Sequence, residues 1–372
     1  MTELDRPAVR GGAPTGRAFA WCALLLLMLV IGLLWRAERS AMPGDSSASF
    51  VAAEYEKIRS IAFEYVVELP ASLGGESGGG RVAIFLPIAR DYQGQRITRL
   101  EIDSPYPGRL DREPVYGNRF WYAELPAERE TATRIAVRYR IERSVVRAGD
   151  EPGARQEAVR FLGPSERVPV GAPMLEPILA EIRAASPGGD RKARARAIYD
   201  WVVDNVEYKK VGTGWGNGDT FWACTARYGN CTDFHSLFLS LARTEQIPAR
   251  FEMGFPIPED RDAGRIAGYH CWVEFWLPET GWVPIDASEA FKRPEARELF
   301  YGTHPADRVH FTRGRDLRLG AEHRDRPLNY FIYPYLERDG KRLEASVETE
   351  FRYRELGTGQ GVSEAQANAA IR

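Results

Sequence analysis

Three short segments carry residues able to do covalent chemistry together: Gly229-Asn230-Cys231-Thr232-Asp233-Phe234, Tyr269-His270-Cys271-Trp272 and Val283-Pro284-Ile285-Asp286. A cysteine supplies a thiolate nucleophile, a histidine the base that takes and returns a proton, and an aspartate the carboxylate that orients the imidazole. The chemistry expected of Cys231, His270 and Asp286 is attack on an amide carbonyl.

Each of the three needs an element to position it. Cys231, Phe234, Leu237, Phe238, Leu241 and Ala242 recur at helical spacing, and Asn230 stands where an N-cap belongs, so Cys231 is expected to open a helix. Unpaired N–H groups and the positive end of the helix dipole stabilise an anion there, which predicts a thiol pKa below the free value of about 8.5. Taken alone, Cys231 would read first as a small apolar residue at the start of a buried stripe. Its company argues for chemistry. Residues 268 to 276 have the β-branched and aromatic make-up of a strand, and residues 281 to 287 read as its hairpin partner across Pro278-Glu279-Thr280-Gly281. A loop centred near Pro278 pairs His270 with Asp286, whereas a tight turn over Glu279-Thr280 offsets them by about three residues. Both registers stay open at this point.

The three motifs, with Tyr269-His270-Cys271-Trp272-Val273-Glu274 and Gly281-Trp282-Val283-Pro284-Ile285-Asp286 read in full, resemble those of the transglutaminase-like superfamily over roughly residues 190 to 355. The resemblance implies an α+β fold with a papain-like core in which Cys231 is the nucleophile, His270 the base and Asp286 the orienting acid. The superfamily includes transglutaminases, cysteine peptidases, peptide amidases and members without known activity, so membership does not choose the reaction.

The surrounding chain divides by texture. Residues 56 to 150 hold short β-type runs at 61–69, 81–86, 96–102, 120–125 and 135–141, punctuated by Gly74-Gly75 and Gly78-Gly79-Gly80, and read as an all-β, sandwich-like domain. It contains neither cysteine nor histidine, which suits a supporting module. Residues 165 to 356 are expected to form the catalytic domain. Within it Asp190 caps a helix bearing Ala195, Ile198, Tyr199, Val202 and Val206, and residues 327–335 and 347–353 read as strands. Residues 357 to 372 are small or polar and read as a disordered tail.

The loop between Tyr208 and Tyr228 is rich in glycine and aromatic residues, and reads either as a wall of a substrate cleft or as an aromatic plug. An oxyanion would be held by the Cys231 backbone N–H and one side-chain donor, for which the indoles of Trp215 and Trp222 are the candidates. Cys224, Cys231, His235, His270 and Cys271 invite a zinc site, but adjacent strand residues face opposite sides and Cys-x-x-Cys spacing is absent, so no metal or other cofactor is expected. With Cys231 a free thiol and Cys271 facing away from His270, a Cys224–Cys271 disulfide is allowed in an oxidising compartment.

That compartment follows from the N-terminus. Residues 18 to 35 form an uninterrupted apolar run, flanked by Arg17 and Arg36, that nearly spans a hydrocarbon core of about 30 Å. A cleaved signal peptide is the competitor, but the run exceeds the usual apolar region of about 7–15 residues and no small-residue cleavage site follows. The expected arrangement is a cytoplasmic segment at 1–17, a single-pass membrane anchor at 18–35, a Ser/Pro/Gly-rich linker at 36–55 and an extracytoplasmic, periplasmic catalytic region. Composition is that of a folded protein, 44% hydrophobic and 27% charged with a formal net charge of −2. No basic stripe is present to neutralise phosphates, which excludes nucleic acid as a partner. The expected partners are the membrane and a peptide or protein substrate. Two functions remain: a cysteine peptidase, amidase or acyltransferase working through a thioester, or a catalytically inactive module that binds peptides or envelope proteins. Acidic calcium loops are absent, which favours hydrolysis over crosslinking.

Overall fold

The computed structural model describes residues 58–73 and 80–357. The expected cytoplasmic segment, anchor and linker, and all of the expected tail beyond Gly357, lie outside the described residues. Among the described residues no helix is long and apolar enough to cross a membrane.

The first half forms six strands: β1 (Arg59–Leu69), β2 (Arg81–Ile88), β3 (Gln95–Asp103), β4 (Gly108–Arg112), β5 (Arg119–Pro126) and β6 (Thr133–Arg143). In β6 the side chains of Ile135, Val137, Tyr139 and Ile141 alternate into the core, as a half-buried strand requires. Strand β4 is mostly exposed and carries no such alternation, so the sequence did not reveal it. The short strand β7 (Val146–Arg147) precedes the helical part, which comprises α1 (Glu176–Ala185), α2 (Arg191–Asn205), β8 (Glu207–Tyr208), α3 (Thr220–Ala226), β9 (Tyr228–Gly229) and α4 (Cys231–Thr244). Asp190 caps α2 as expected, accepting from the N–H groups of Lys192 and Ala193 at 3.1 and 3.3 Å. The remaining elements are β10 (Ala249–Pro256), β11 (Ala263–Ile266), β12 (His270–Leu277), β13 (Gly281–Ile285), α5 (Ala287–Lys292), β14 (Thr303–His304), β15 (Arg308–Arg313), β16 (Tyr335–Arg338), β17 (Lys341–Arg342) and β18 (Glu348–Glu355).

The central antiparallel sheet has the order β13-β12-β10-β15, and α4 packs on it. Two five-stranded sheets accompany it, ordered β11-β18-β1-β6-β3 and β17-β16-β2-β5-β4. Both take strands from either end of the described chain, because β18 pairs with β1 and β16 with β2. The strands of residues 59–143 therefore do not close a sandwich among themselves. An aromatic cluster joins the first sheet to the central one: Phe63 and Phe255 lie 5.5 Å apart, Phe255 and Phe311 5.1 Å, Tyr65 and Phe351 4.7 Å. The described residues accordingly form one compact unit.

The strand expected at 327–335 is a correction. Only Tyr335 enters a strand, and Leu328 makes a single bridge to Leu317. Pro327 and Pro334 bracket the segment and have no N–H to give a ladder.

Candidate active site

Asn230 opens α4 with a reciprocal cap. Its side chain accepts from the Thr232 N–H at 2.9 Å, and Asp233 Oδ2 accepts from the Asn230 N–H at 2.9 Å. Asp233 also accepts from the N–H groups of Gly216 at 2.7 Å and Gly218 at 3.1 Å, so one buried carboxylate ties the glycine-rich loop to the start of α4. Gly229 is required for this packing, since a Cβ there would lie 2.2 Å from Asp233 Oδ2. Burial pushes the Asp233 carboxyl up to about 6 against these hydrogen bonds.

Cys231 is the first residue of α4, where the backbone N–H has no carbonyl four residues back within the helix. His270 is the first residue of β12. Asp286 follows β13 and caps α5: Oδ1 accepts from the Glu289 N–H at 3.0 Å and the Ser288 hydroxyl at 2.9 Å. Oδ2 accepts from His270 Nε2 at 2.6 Å and from Arg308 Nη1 at 2.9 Å. With Nε2 committed to the carboxylate, the imidazole presents Nδ1 to the Cys231 thiol, which is within hydrogen-bond reach.

The hairpin register lies between the two sequence alternatives. Val273 pairs with Ile285 and Leu277 with Gly281, so continuing the ladder sets Asp286 opposite Trp272, two residues from His270. An offset of two keeps both side chains on one face. The three-residue loop Pro278-Glu279-Thr280 and the φ of +89° at Gly281 produce it; a Cβ at Gly281 would also lie 2.5 Å from the Glu151 carbonyl oxygen.

Burial opposes ionisation of Cys231, yet hydrogen bonds from Cys271 and His270 and the nearby His270 charge hold the thiol well below its usual value. Burial also opposes the charged form of His270, but Asp286 and the Cys231 sulfur outweigh it and raise the imidazole to about 10. Asp286, despite burial, is held well below the carboxylate range by His270 and Arg308. Cys231, His270 and Asp286 thus stand in series, each shifted toward its charged form by its neighbours.

Several expectations are corrected here. Cys224 and Cys271 are free thiols, so the Cys224–Cys271 disulfide is not formed. Cys271 instead turns toward His235, its sulfur 3.5 Å from Nδ1, and is also within hydrogen-bond reach of Cys231. Cys231 is within reach of both His270 and Cys271. Neither indole is available to an oxyanion: Trp215 Nε1 donates to the Gly212 carbonyl and Trp222 Nε1 to the Tyr228 carbonyl, both at 3.0 Å. A local carbonyl captured each N–H, as buried or half-buried donors require.

Sequence inspection missed three contributors. Tyr208 is half-buried on β8, its ring under the Lys292 ammonium at 4.0 Å, and burial, then the Cys231 charge, raise its pKa. Arg308 is fully buried between Asp286 and Asp307, lies 5.1 Å from the Trp272 ring centre, and had no local signal pointing to it. Asp233 could have been found from its place three residues after the Asn230 cap.

Residues 180–287 match the family model described as the transglutaminase-like superfamily. An uncharacterized protein of Haemophilus influenzae is 30% identical over 192 residues, 43% of this chain and 52% of that protein. The chain thus spans about half the length of that relative. The uncharacterized protein YebA of Bacillus subtilis is 34% identical over 77 residues, 18% of this chain and 10% of its own length. Among solved structures, one from Cytophaga hutchinsonii described as a candidate cysteine protease superposes with a TM-score of 0.53 at 16% identity, covering 82% of this chain and 93% of that one, which is a likeness of fold. The matched segment, residues 180–287, which contains Cys231, His270 and Asp286, is thus similar to the transglutaminase-like superfamily.

Proposed function

We propose that the protein is a membrane-anchored cysteine enzyme that opens peptide or protein amide bonds through a thioester on Cys231, with water favoured over an amine as acceptor. The observation that carries this is the continuous series from the Cys231 thiolate through His270 to Asp286. The thiolate attacks the amide carbonyl, and His270 gives its proton to the departing amine. The neutral imidazole then takes a proton from water as it attacks the thioester, and the C–S bond breaks to release the acid product and restore the Cys231 thiolate beside the His270 imidazolium. The Cys231 N–H and the Tyr208 hydroxyl serve as donors to the oxyanion. A groove of about 440 Å³ lined by Arg167, Asn217, Tyr330 and Tyr333 is the approach we propose for substrate, since Tyr330 packs 5.8 Å from Tyr269, which accepts from the amide of Asn230, the residue before Cys231.

A peptide-binding module without turnover is the second reading. One observation favours it: Cys231 is only 2% and His270 6% exposed. A thiol-reactive activity probe followed by a peptide library separates the two. The enzyme predicts labelling with a midpoint below the usual thiol value of about 8.5 and loss of labelling in Cys231→Ala. It also predicts peptide turnover that falls above about pH 10, as His270 loses the proton it must give the leaving group. Labelling at or above the ordinary thiol midpoint, with no peptide cleaved, would leave the binding module.

Residues 18–35 are proposed to remain as the anchor, placing the core outside the cytoplasm. Support comes from the length of the apolar run and the charged residues Arg36, Glu38 and Arg39 where a cleavage site would need small ones. Fractionation with N-terminal sequencing is expected to recover the intact chain with the membranes. A soluble extracytoplasmic form beginning after Trp35 would rule out the anchor, and protection of the core from external protease would place it in the cytoplasm.

A further inference from the structure

The acyl-transfer chemistry leaves one buried nucleophile unused. Cys271 is fully enclosed on β12, 3.5 Å from His235 Nδ1 and within hydrogen-bond reach of Cys231. His235, equally enclosed on α4, turns Nε2 toward Asp286 Oδ1 at 3.6 Å, which leaves Nδ1 as an acceptor facing the Cys271 thiol. Burial keeps His235 neutral, its pKa lowered to about 4, and burial also holds the Cys271 thiol protonated. A second thiol with its own proton acceptor therefore stands beside the nucleophile, and both imidazoles share Asp286.

We propose that Cys231 and Cys271 form a site of reversible oxidation by hydroperoxides, in which Cys271 captures the oxidised nucleophile as a disulfide. The Cys231 thiolate attacks one peroxide oxygen, the O–O bond breaks, and the departing alkoxide takes a proton from the His270 imidazolium, leaving Cys231 as sulfenic acid. Cys271 then gives its proton to His235 and its sulfur attacks Cys231 Sγ. The S–O bond breaks and hydroxide leaves as water with the proton from His235. The two sulfurs together lose two electrons and the peroxide gains them; the products are the disulfide, an alcohol and water. A dithiol reductant reverses the closure. The proposal uses the Cys231 thiolate of the proposed function but not its acyl chemistry.

The full chain in detergent, reduced and then treated with hydrogen peroxide, is blocked with iodoacetamide, digested and mapped by mass spectrometry. The expected product is a Cys231–Cys271 linked peptide with Cys224 alkylated, and dithiothreitol is expected to restore labelling of Cys231. In Cys271→Ser, Cys231 is expected to proceed to sulfinic acid and to stay unlabelled after dithiothreitol. In His235→Gln, closure should slow by roughly 10²-fold, the lower range for a positioned proton acceptor, with the sulfenic acid trapped by dimedone meanwhile. Sulfinic acid on Cys231 beside a free Cys271 in the unmodified sequence, or a bridge to Cys224, would overturn the proposal. A chain that cleaves peptides but forms no bridge loses this inference alone, and one that bridges without cleaving any peptide loses only the proposed function.

Discussion

Asp286→Asn is expected to lower kcat by about 10⁴-fold on a verified peptide substrate, the size of loss seen when a triad acid becomes an amide. Asp286 has two jobs, and the substitution separates them. An asparagine oxygen can still accept from the Glu289 N–H and the Ser288 hydroxyl, so the start of α5 keeps its cap. It cannot hold His270 with Nδ1 directed at Cys231 or stabilise the imidazolium, because the carboxylate that accepts from Nε2 at 2.6 Å is gone. The alkylation midpoint of Cys231 should rise as well, since the thiolate owes its low pKa in part to the charge on His270. Nearly full turnover with an unchanged alkylation midpoint would make Asp286 a helix cap only and remove it from the proposed mechanism.

What could be read from the chain itself was local. The helical stripe from Cys231 to Ala242 and the strand texture around His270 each sit within one element, so spacing alone positions them. The cap at Asn230 follows for the same reason. What escaped was set by distant or competing contacts. The hairpin register came out two residues from facing because of the three-residue loop and the left-handed Gly281, a choice that the motif residues do not encode. The pairing of β1 with β18 joins segments almost 300 residues apart, as in the Arg59–Glu355 ion pair, and no local pattern announces such a partner. Trp215 and Trp222 had the right chemistry for an oxyanion but found carbonyls three and six residues away. Cys271 was expected to turn from His270 toward Cys224, yet it interacts with Cys231 and His235, which lie on a different element.

Arg308 is the part of the site most remote from any motif, and its removal is expected to cost the most stability. It is fully buried and donates to Asp286 at 2.9 Å and to Asp307 at 2.9 Å. Arg308→Met keeps much of the side-chain volume while removing the guanidinium shared by buried Asp286 and half-buried Asp307. Breaking one partner of a buried pair typically costs about 3–5 kcal/mol, a large share of the roughly 5–15 kcal/mol that holds a protein folded. His270 remains to bond Asp286, so turnover should fall less than in Asp286→Asn, whereas the urea midpoint should fall further. Arg308→Lys should recover part of the loss, since an ammonium restores the charge but not the planar fork that reaches both carboxylates. The pH dependence supplies the sign. Asp286 and Asp307 are both held below their ordinary value in the folded protein, burial opposing and Arg308 among the charges that overcome it. A carboxylate lowered in this way contributes stability that is present above its unfolded pKa of about 3.9 and is lost as pH falls through the folded value. The difference between the parent and Arg308→Met should therefore be full near neutrality and narrow progressively below about pH 4. A difference under about 1 kcal/mol at neutral pH, the range of an exposed pair, would mean that Arg308 does not hold Asp286 in its charged form.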